Sequence, residues 1–215
     1  MEDFFQYVNP IKISVLLTML YAFSGFHPNK TNHRYLLAIL IISFLNEVSN
    51  SILLLAEFHT GTLTTISVVI HHCAWLLLLG QNVRLKKLSV AALACFVSAA
   101  VINFLFIEGP VHFNYYTFVT GAFLYLCIFI AESFLRLKEE DFSFFLSNDY
   151  LLLLAPVLFF FGMSLMFGFK SRTVTSTVVF GSIKLYAIVS YFVNILYYLF
   201  INLYIYHEKK LQNAV

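Results

Sequence analysis

Charge is scarce in this chain, and what there is sits mostly between long apolar runs. Only 11% of its 215 residues are Asp, Glu, Lys or Arg, against roughly 25% in a soluble domain. That deficit removes the polar coat a water-soluble fold needs. Tryptophan occurs once, cysteine three times and proline four times. Cys73, Cys95 and Cys127 all fall inside apolar runs, which argues against a disulfide framework and leaves packing or lipid contact. There is no Gly-rich phosphate loop, no H-E-x-x-H, no G-x-S-x-G elbow and no Cys-x-x-Cys pair, so no recognisable catalytic motif. The net charge of +2 is dispersed along loops and forms no basic patch, so no nucleic-acid partner is expected. Met1-Glu2-Asp3-Phe4 is acidic where a cleavable signal would be basic, so the first run is expected to be retained as a helix.

What the chain has instead is apolar length. It is 60% hydrophobic, its mean hydropathy is +0.84, and it carries 25 Phe and 13 Tyr. A membrane-spanning helix takes about 20 mostly apolar residues. Seven runs qualify, at about 8–26, 35–57, 63–83, 88–108, 115–137, 150–169 and 177–206. The breaks carry turn chemistry: Asn9-Pro10, His27 to Asn32, His59-Thr60-Gly61-Thr62 and Glu108-Gly109-Pro110. The segment from Lys138 to Asp149 is acidic and Phe-rich and is expected to lie along the interface. The expected fold is therefore all-α: a single polytopic bundle of seven transmembrane helices over residues 1–215, with no soluble domain.

Orientation follows from basic residues in short loops. One side holds Lys30, Arg34, Arg84, Lys86, Lys87, Arg136, Lys138, Lys209 and Lys210. The other holds Lys12, Lys170 and Arg172, together with Glu2, Asp3, Glu57 and Glu108. The bias puts the N-terminus outside and the C-terminus in the cytosol, in a cytoplasmic (inner) membrane. The Asn29-Lys30-Thr31 sequon then faces the cytosol, where it is not glycosylated. In the fourth run, small residues recur every four positions (Ala91, Cys95, Ala99; Ala94, Ser98), predicting the most tightly packed helix. Pro156 predicts a kink in the sixth run. Tyr186, Tyr191, Tyr197, Tyr198, Tyr204 and Tyr206 line the long seventh run, whose end is expected to reach the headgroups with its tyrosines as anchors.

Polar residues inside apolar runs are costly and face the bundle interior by default. The second run carries Ser43, Asn46, Glu47, Asn50 and Ser51 at offsets of three and four, one continuous helical face. The third brings His71-His72-Cys73. At 1.5 Å per residue, Glu47 lies about 18 Å from the cytosolic end of its run and His71 about 12 Å from the outer end of its own. In a core about 30 Å thick these depths match, so Glu47 is paired with one of the two histidines. Two readings of that pair stand side by side. One is a neutral contact fixing helix register; the other is a ligand- or proton-binding centre. A metal site is not expected, because histidines at i, i+1 diverge. Asn103 and Asn194 extend an internal polar network. Lys184 sits about 9–10 Å below the outer end of the seventh run; its stem can snorkel outward to an interfacial role. It also stands among the ligand- or proton-site candidates with Glu47, His71, His72, Asn46, Asn50, Asn103 and Asn194. A lysine in that run invites comparison with retinal proteins, but their Trp-rich pocket and acidic third helix are missing, and no cofactor is expected. Glu132 and Arg136 read as an interfacial ion pair of little energetic consequence, and Glu108 and His112 as ordinary loop residues.

Three stretches carry a resemblance. They are Phe113-Asn114-Tyr115-Tyr116 with the following helix ending Glu132-Ser133-Phe134-Leu135-Arg136; the helix from Tyr150 to Phe169 after Ser147-Asn148-Asp149; and Asn194-Ile195-Leu196-Tyr197-Tyr198-Leu199. Together they resemble a family of small seven-helix membrane proteins of Bacteroidota, similar to modules that precede or accompany sensor histidine kinases. The resemblance implies a membrane sensor or accessory module without a catalytic domain. Because the chain ends at Val215, the effector is expected on a separate polypeptide, engaged at cytosolic loops through Arg84, Lys86, Lys87, Lys209 and Lys210. Two other functions stay open. One is a small ion channel or transporter, for which a homo-oligomer would supply a wider pore. The other is a lipid enzyme with Glu47 or a histidine as general base.

Overall fold

The computed structural model describes residues 10–27, 29–168, 176–181 and 183–212. Expectations resting on Glu2, Asp3, Asn9, Pro28, Lys170 and Arg172 lie outside the described residues. The helices are α1 (Pro10–Ser24), α2 (Thr31–Leu55), α3 (Gly61–Asn82), α4 (Lys86–Ile102), α5 (Tyr115–Lys138), a short α6 (Phe142–Phe145), α7 (Asn148–Gly168) and α8 (Leu185–Gln212). α4 runs on into a π-helical turn at Asn103–Ile107. Six of these helices, all except α1 and α6, are long and apolar enough to cross a membrane. The 15 residues of α1 give about 22 Å at 1.5 Å per residue.

The seventh run departs from expectation at its start. Val178–Phe180 (β1) pairs antiparallel with Ile183–Lys184 (β2), and helix begins only at Leu185. Thr177-Val178-Val179 is β-branched and reads as apolar, yet such residues lose rotamer freedom in a helix and favour a strand. Gly181, at φ +58°, makes the turn. Lys184 is therefore an exposed strand residue and not a lysine within a helix.

Packing closes a ring in the order α1, α2, α3, α4, α5, α7, α8 and back to α1, with α3 also reaching α5 across it. Trp75, Leu78 and Leu79 of α3 are fully buried in the middle. The outer surface is apolar, with Leu17, Ile52, Val90, Phe106, Phe123, Phe134 and Ile195 all exposed, as lipid contact requires. α4 does not pack as its small residues suggest. Ala91, Ala94, Cys95 and Ser98 face outward, while Ala92, Phe96 and Ala100 face in. The small stripe and the core stripe are different faces of one helix, and the bulky Phe96 takes the inward one. The most buried helix is instead α7, which continues through Pro156 without interruption.

Two close approaches fix helix placement. A Cβ on Gly61, at the start of α3, would lie 2.5 Å from the Val111 carbonyl oxygen, so the α2–α3 corner docks against backbone of the α4–α5 loop. Thr62 Oγ1 donates to the Pro110 carbonyl in the same contact. A Cβ on Gly121 of α5 would meet the His72 ring at 2.4 Å.

The opposite end of the bundle is held by two ionic clusters. Glu132, 1% exposed, accepts from Arg136 Nε at 2.7 Å and from the backbone amides of Arg84 and Leu85 at 3.0 and 3.4 Å. Arg136 also donates to Asp141 at 2.7 Å, and its guanidinium lies 4.5 Å from the Phe144 ring centroid. Arg84 bridges to Asp141 and Glu139. Glu132 is thus a buried carboxylate tying the start of α4 to α5, more than the interfacial pair its spacing suggests. In the second cluster Glu208 of α8 takes Lys30, His33 and Asn148, from α7 and the start of α2. His33 Nδ1 accepts from the His27 amide at 3.2 Å, so the ring proton sits on Nε2 and is donated to Glu208. Tyr204 packs edge-on to His33 and is 1% exposed. Tyr197 and Tyr198 are buried as well, so only part of the tyrosine ladder on α8 faces outward.

Candidate functional site

The polar face of α2 points inward, as its spacing requires. Ser43, Asn46 and Glu47 line a cavity of about 120 Å³ with Ser67 and His71 of α3 and Asn194, Tyr197 and Tyr198 of α8. Val15, Phe118 and Phe159 complete its apolar walls. A larger space of about 360 Å³ adjoins it toward the Gly61 end and shares Ile11, Glu47, Val68, Phe118, Phe159 and Asn194 with it. The outer lobe is walled by Phe113, Met163, Phe167, Tyr186 and Tyr191. The site is therefore two-lobed: a small polar inner chamber, then a larger aromatic one.

Glu47 and His71 share this cavity but do not bond to each other. His71 Nε2 lies 3.3 Å from the Tyr197 hydroxyl and receives the Trp75 indole N–H at 3.3 Å. Trp75 also donates to the Tyr197 oxygen at 3.2 Å. With Nε2 accepting, the proton of neutral His71 sits on Nδ1, which has no hydrogen-bond partner among the described residues. The Glu47 carboxyl has none among them either; its backbone carbonyl takes Ser51 Oγ at 2.8 Å. The expected direct Glu47–histidine contact is thus replaced by a gap the size of a small ligand. Depth from helical rise placed both residues at one level correctly, but helix rotation turned His71 toward α8.

His72 belongs elsewhere. Its Nδ1 donates to the Val68 carbonyl at 2.9 Å, and its ring stacks 4.6 Å from Phe160 with Phe96 and Phe118 around it. Its Nε2 is buried without a partner. Asn50 lines neither lobe; it donates to Asn46 and accepts from Thr64 at 3.2 Å each, bracing two residues that do. Asn194 donates to the Ser190 carbonyl at 2.8 Å, which leaves its own carbonyl oxygen for the cavity. Asn103 is remote, bonded to Glu108 at 2.7 Å and to Thr117 at 2.8 Å. Glu108 also accepts from the Tyr116 amide, so it fastens the loop rather than being an ordinary surface residue. Lys184 lies on the exposed hairpin, away from the cavity.

Three residues of the site carry no weight in the sequence reading. Trp75 lies four residues after His71, one turn along the same face, and that spacing was the available signal. Tyr197 looked like an interfacial anchor. Lys12 looked like a loop charge, but it donates to Ser51 Oγ at 2.7 Å and acts electrostatically on Glu47.

Beneath the inner chamber the bundle is solid. Trp75, Tyr125, Phe160, Leu152 and Leu153 are fully buried there, and the Tyr125 hydroxyl donates to the Leu153 carbonyl at 2.8 Å. Among the described residues no group of three or more His, Cys, Asp and Glu side chains is placed to hold a metal ion, and all three cysteines are free. No protein-family model, curated protein or solved structure matches the chain.

Proposed function

We propose that this chain is a seven-helix sensory or accessory module of a cytoplasmic membrane, binding a small ligand between α2, α3 and α8. In this reading α1 is the seventh span, and the Gly61 end faces outward, because the basic loops cluster at the Glu208 end. One observation carries the proposal. Glu47 and His71 line the same cavity, and the Glu47 carboxyl and His71 Nδ1 have no hydrogen-bond partner among the described residues, although such groups inside a bundle are ordinarily paired. The signal travels along one face of α8. Tyr197 touches the cavity floor, and Ile201, Tyr204 and Glu208 follow at helical spacing, buried to the end of the bundle. There Glu208 joins α2 and α7, next to the basic loops a cytosolic partner would engage.

A carrier is the second reading, favoured by the same half-length cavity over a closed floor. Proteoliposomes loaded with a pH-sensitive dye and stepped between about pH 5 and 8 separate the two. The sensory reading expects the same passive leak from wild type and Glu47→Gln. Sustained flux by wild type that Glu47→Gln abolishes would replace it with the carrier. Orientation is checked by single cysteines introduced at Lys87 and Lys184 in intact cells. An impermeant maleimide should label position 184 and spare position 87; the reverse pattern would invert the topology.

A further inference from the structure

The geometry points to an organic ammonium ion with an apolar or aromatic body as the ligand of the two-lobed cavity. This rests on the ligand-binding reading above and names its chemical class. Among the described residues, Glu47 is the only formally charged side chain lining either lobe. Its carboxyl has no hydrogen-bond partner among the described residues, so the strongest acceptor in the cavity is vacant. The Asn194 carbonyl oxygen and the Tyr198 ring stand at the same chamber. A carboxylate among aromatic faces and amide oxygens is complementary to a cation, whose charge both the acid and the ring quadrupoles attract.

Size sets the orientation. The inner chamber of about 120 Å³ is slightly smaller than an apolar cavity that holds benzene, and suits an ammonium head. The outer lobe of about 360 Å³, walled by Phe113, Phe167, Tyr186 and Tyr191, takes the body. An anionic ligand would meet Glu47 at close range, and a neutral one would bring no charge of its own to that carboxyl. Lys12 fits as the resident competitor. It is held on Ser51, one helical turn from Glu47, and partly neutralises the acid while the cavity is empty.

The test uses the full chain in phosphatidylglycerol nanodiscs, which contain no amine lipid. Phenethylammonium is compared with 2-phenylethanol and with phenylpropionate. Binding is read by calorimetry and by emission of Trp75, the sole tryptophan, which touches the cavity floor through His71 and Tyr197. Phenethylammonium should bind about tenfold or more tighter than the alcohol, and the anion should bind weakest. Glu47→Gln should remove that preference without altering the unfolding midpoint by more than a small amount. Lys12→Gln should strengthen cation binding, an effect no merely structural lysine gives. Equal affinity for cation and alcohol would overturn the ammonium assignment and leave the pocket standing. Binding of none of the three by either measurement would overturn both. Adding phosphatidylethanolamine to the nanodiscs distinguishes the source. Competition with phenethylammonium identifies a lipid headgroup as the ligand, and its absence a free amine.

Discussion

Glu132 and Glu47 are both carboxylates on apolar helices, and the bundle treats them in opposite ways. Glu132 is 1% exposed and takes one guanidinium and two backbone amides. Glu47 is half-buried, lines a cavity and has no hydrogen bond to its carboxyl among the described residues. The same contrast runs through the two ends of the molecule. At the Glu208 end ionic groups saturate one another and join α2, α7 and α8. In the cavity, the Glu47 carboxyl and His71 Nδ1 have no hydrogen-bond partner among the described residues. A polar group whose bonding capacity is filled by protein is spent on architecture; one left open at a cavity is available to something else.

Breaking each carboxylate tests this directly. Glu132→Ala strands Arg136 and two amides and should cost about 3–5 kcal/mol, as removal of one partner of a buried pair does. Glu47→Ala leaves no protein donor behind and should cost under about 1 kcal/mol. Both are measured by equilibrium unfolding in detergent micelles, and comparable losses would erase the distinction. Gly121→Ala, which presses a methyl into His72 and Phe96, should cost about 1–3 kcal/mol by overpacking. Tyr197→Phe removes the hydroxyl shared by Trp75 and His71. It should cost about 1 kcal/mol and shift Trp75 emission while leaving the ionic end unaffected. The smallest effect concerns Asp141. The Ser143 hydroxyl first, then Arg136 and Arg84, hold its carboxyl below the usual range. Its contribution is full above the unfolded carboxylate value of about 3.9 and falls away as pH drops through the lower folded value. The unfolding midpoint of Asp141→Asn should therefore vary less steeply than wild type between about pH 5 and 2.

Much of the architecture is legible in the residues. The expected run 115–137 matches Tyr115–Lys138, and 150–169 begins within two residues of Asn148. Apolar length and turn chemistry suffice where each break is polar. They fail at Thr177 to Lys184, where hydropathy is blind to the difference between a β-branched strand and a helix. The site is legible to a similar depth. Spacing put Ser43, Asn46 and Glu47 on the inward face, and rise placed His71 at their level. What spacing cannot supply is rotation. His71 meets Tyr197 because α8 stands beside α3 at that height, and His72 is turned into a cage of phenylalanines because Gly121 lets α5 come close. Asn103 and Lys184 shared only the property of being polar in an apolar run, which marks a residue for scrutiny without saying where it points.

Gly61 has a consequence for how the protein is made. Its hydrogen left bare, the start of α3 is shaped to receive the backbone of Val111 to Phe113, and Thr62 reaches the Pro110 carbonyl 48 residues further along. During synthesis the α2–α3 hairpin therefore leaves the ribosome before the strip of chain it is cut to fit. Until α4 and its loop have been threaded across, that corner faces lipid or solvent with an unfilled notch, and the upper wall of the cavity has no anchor. A nascent chain halted before Pro110 lacks the contact between the start of α3 and the α4–α5 loop.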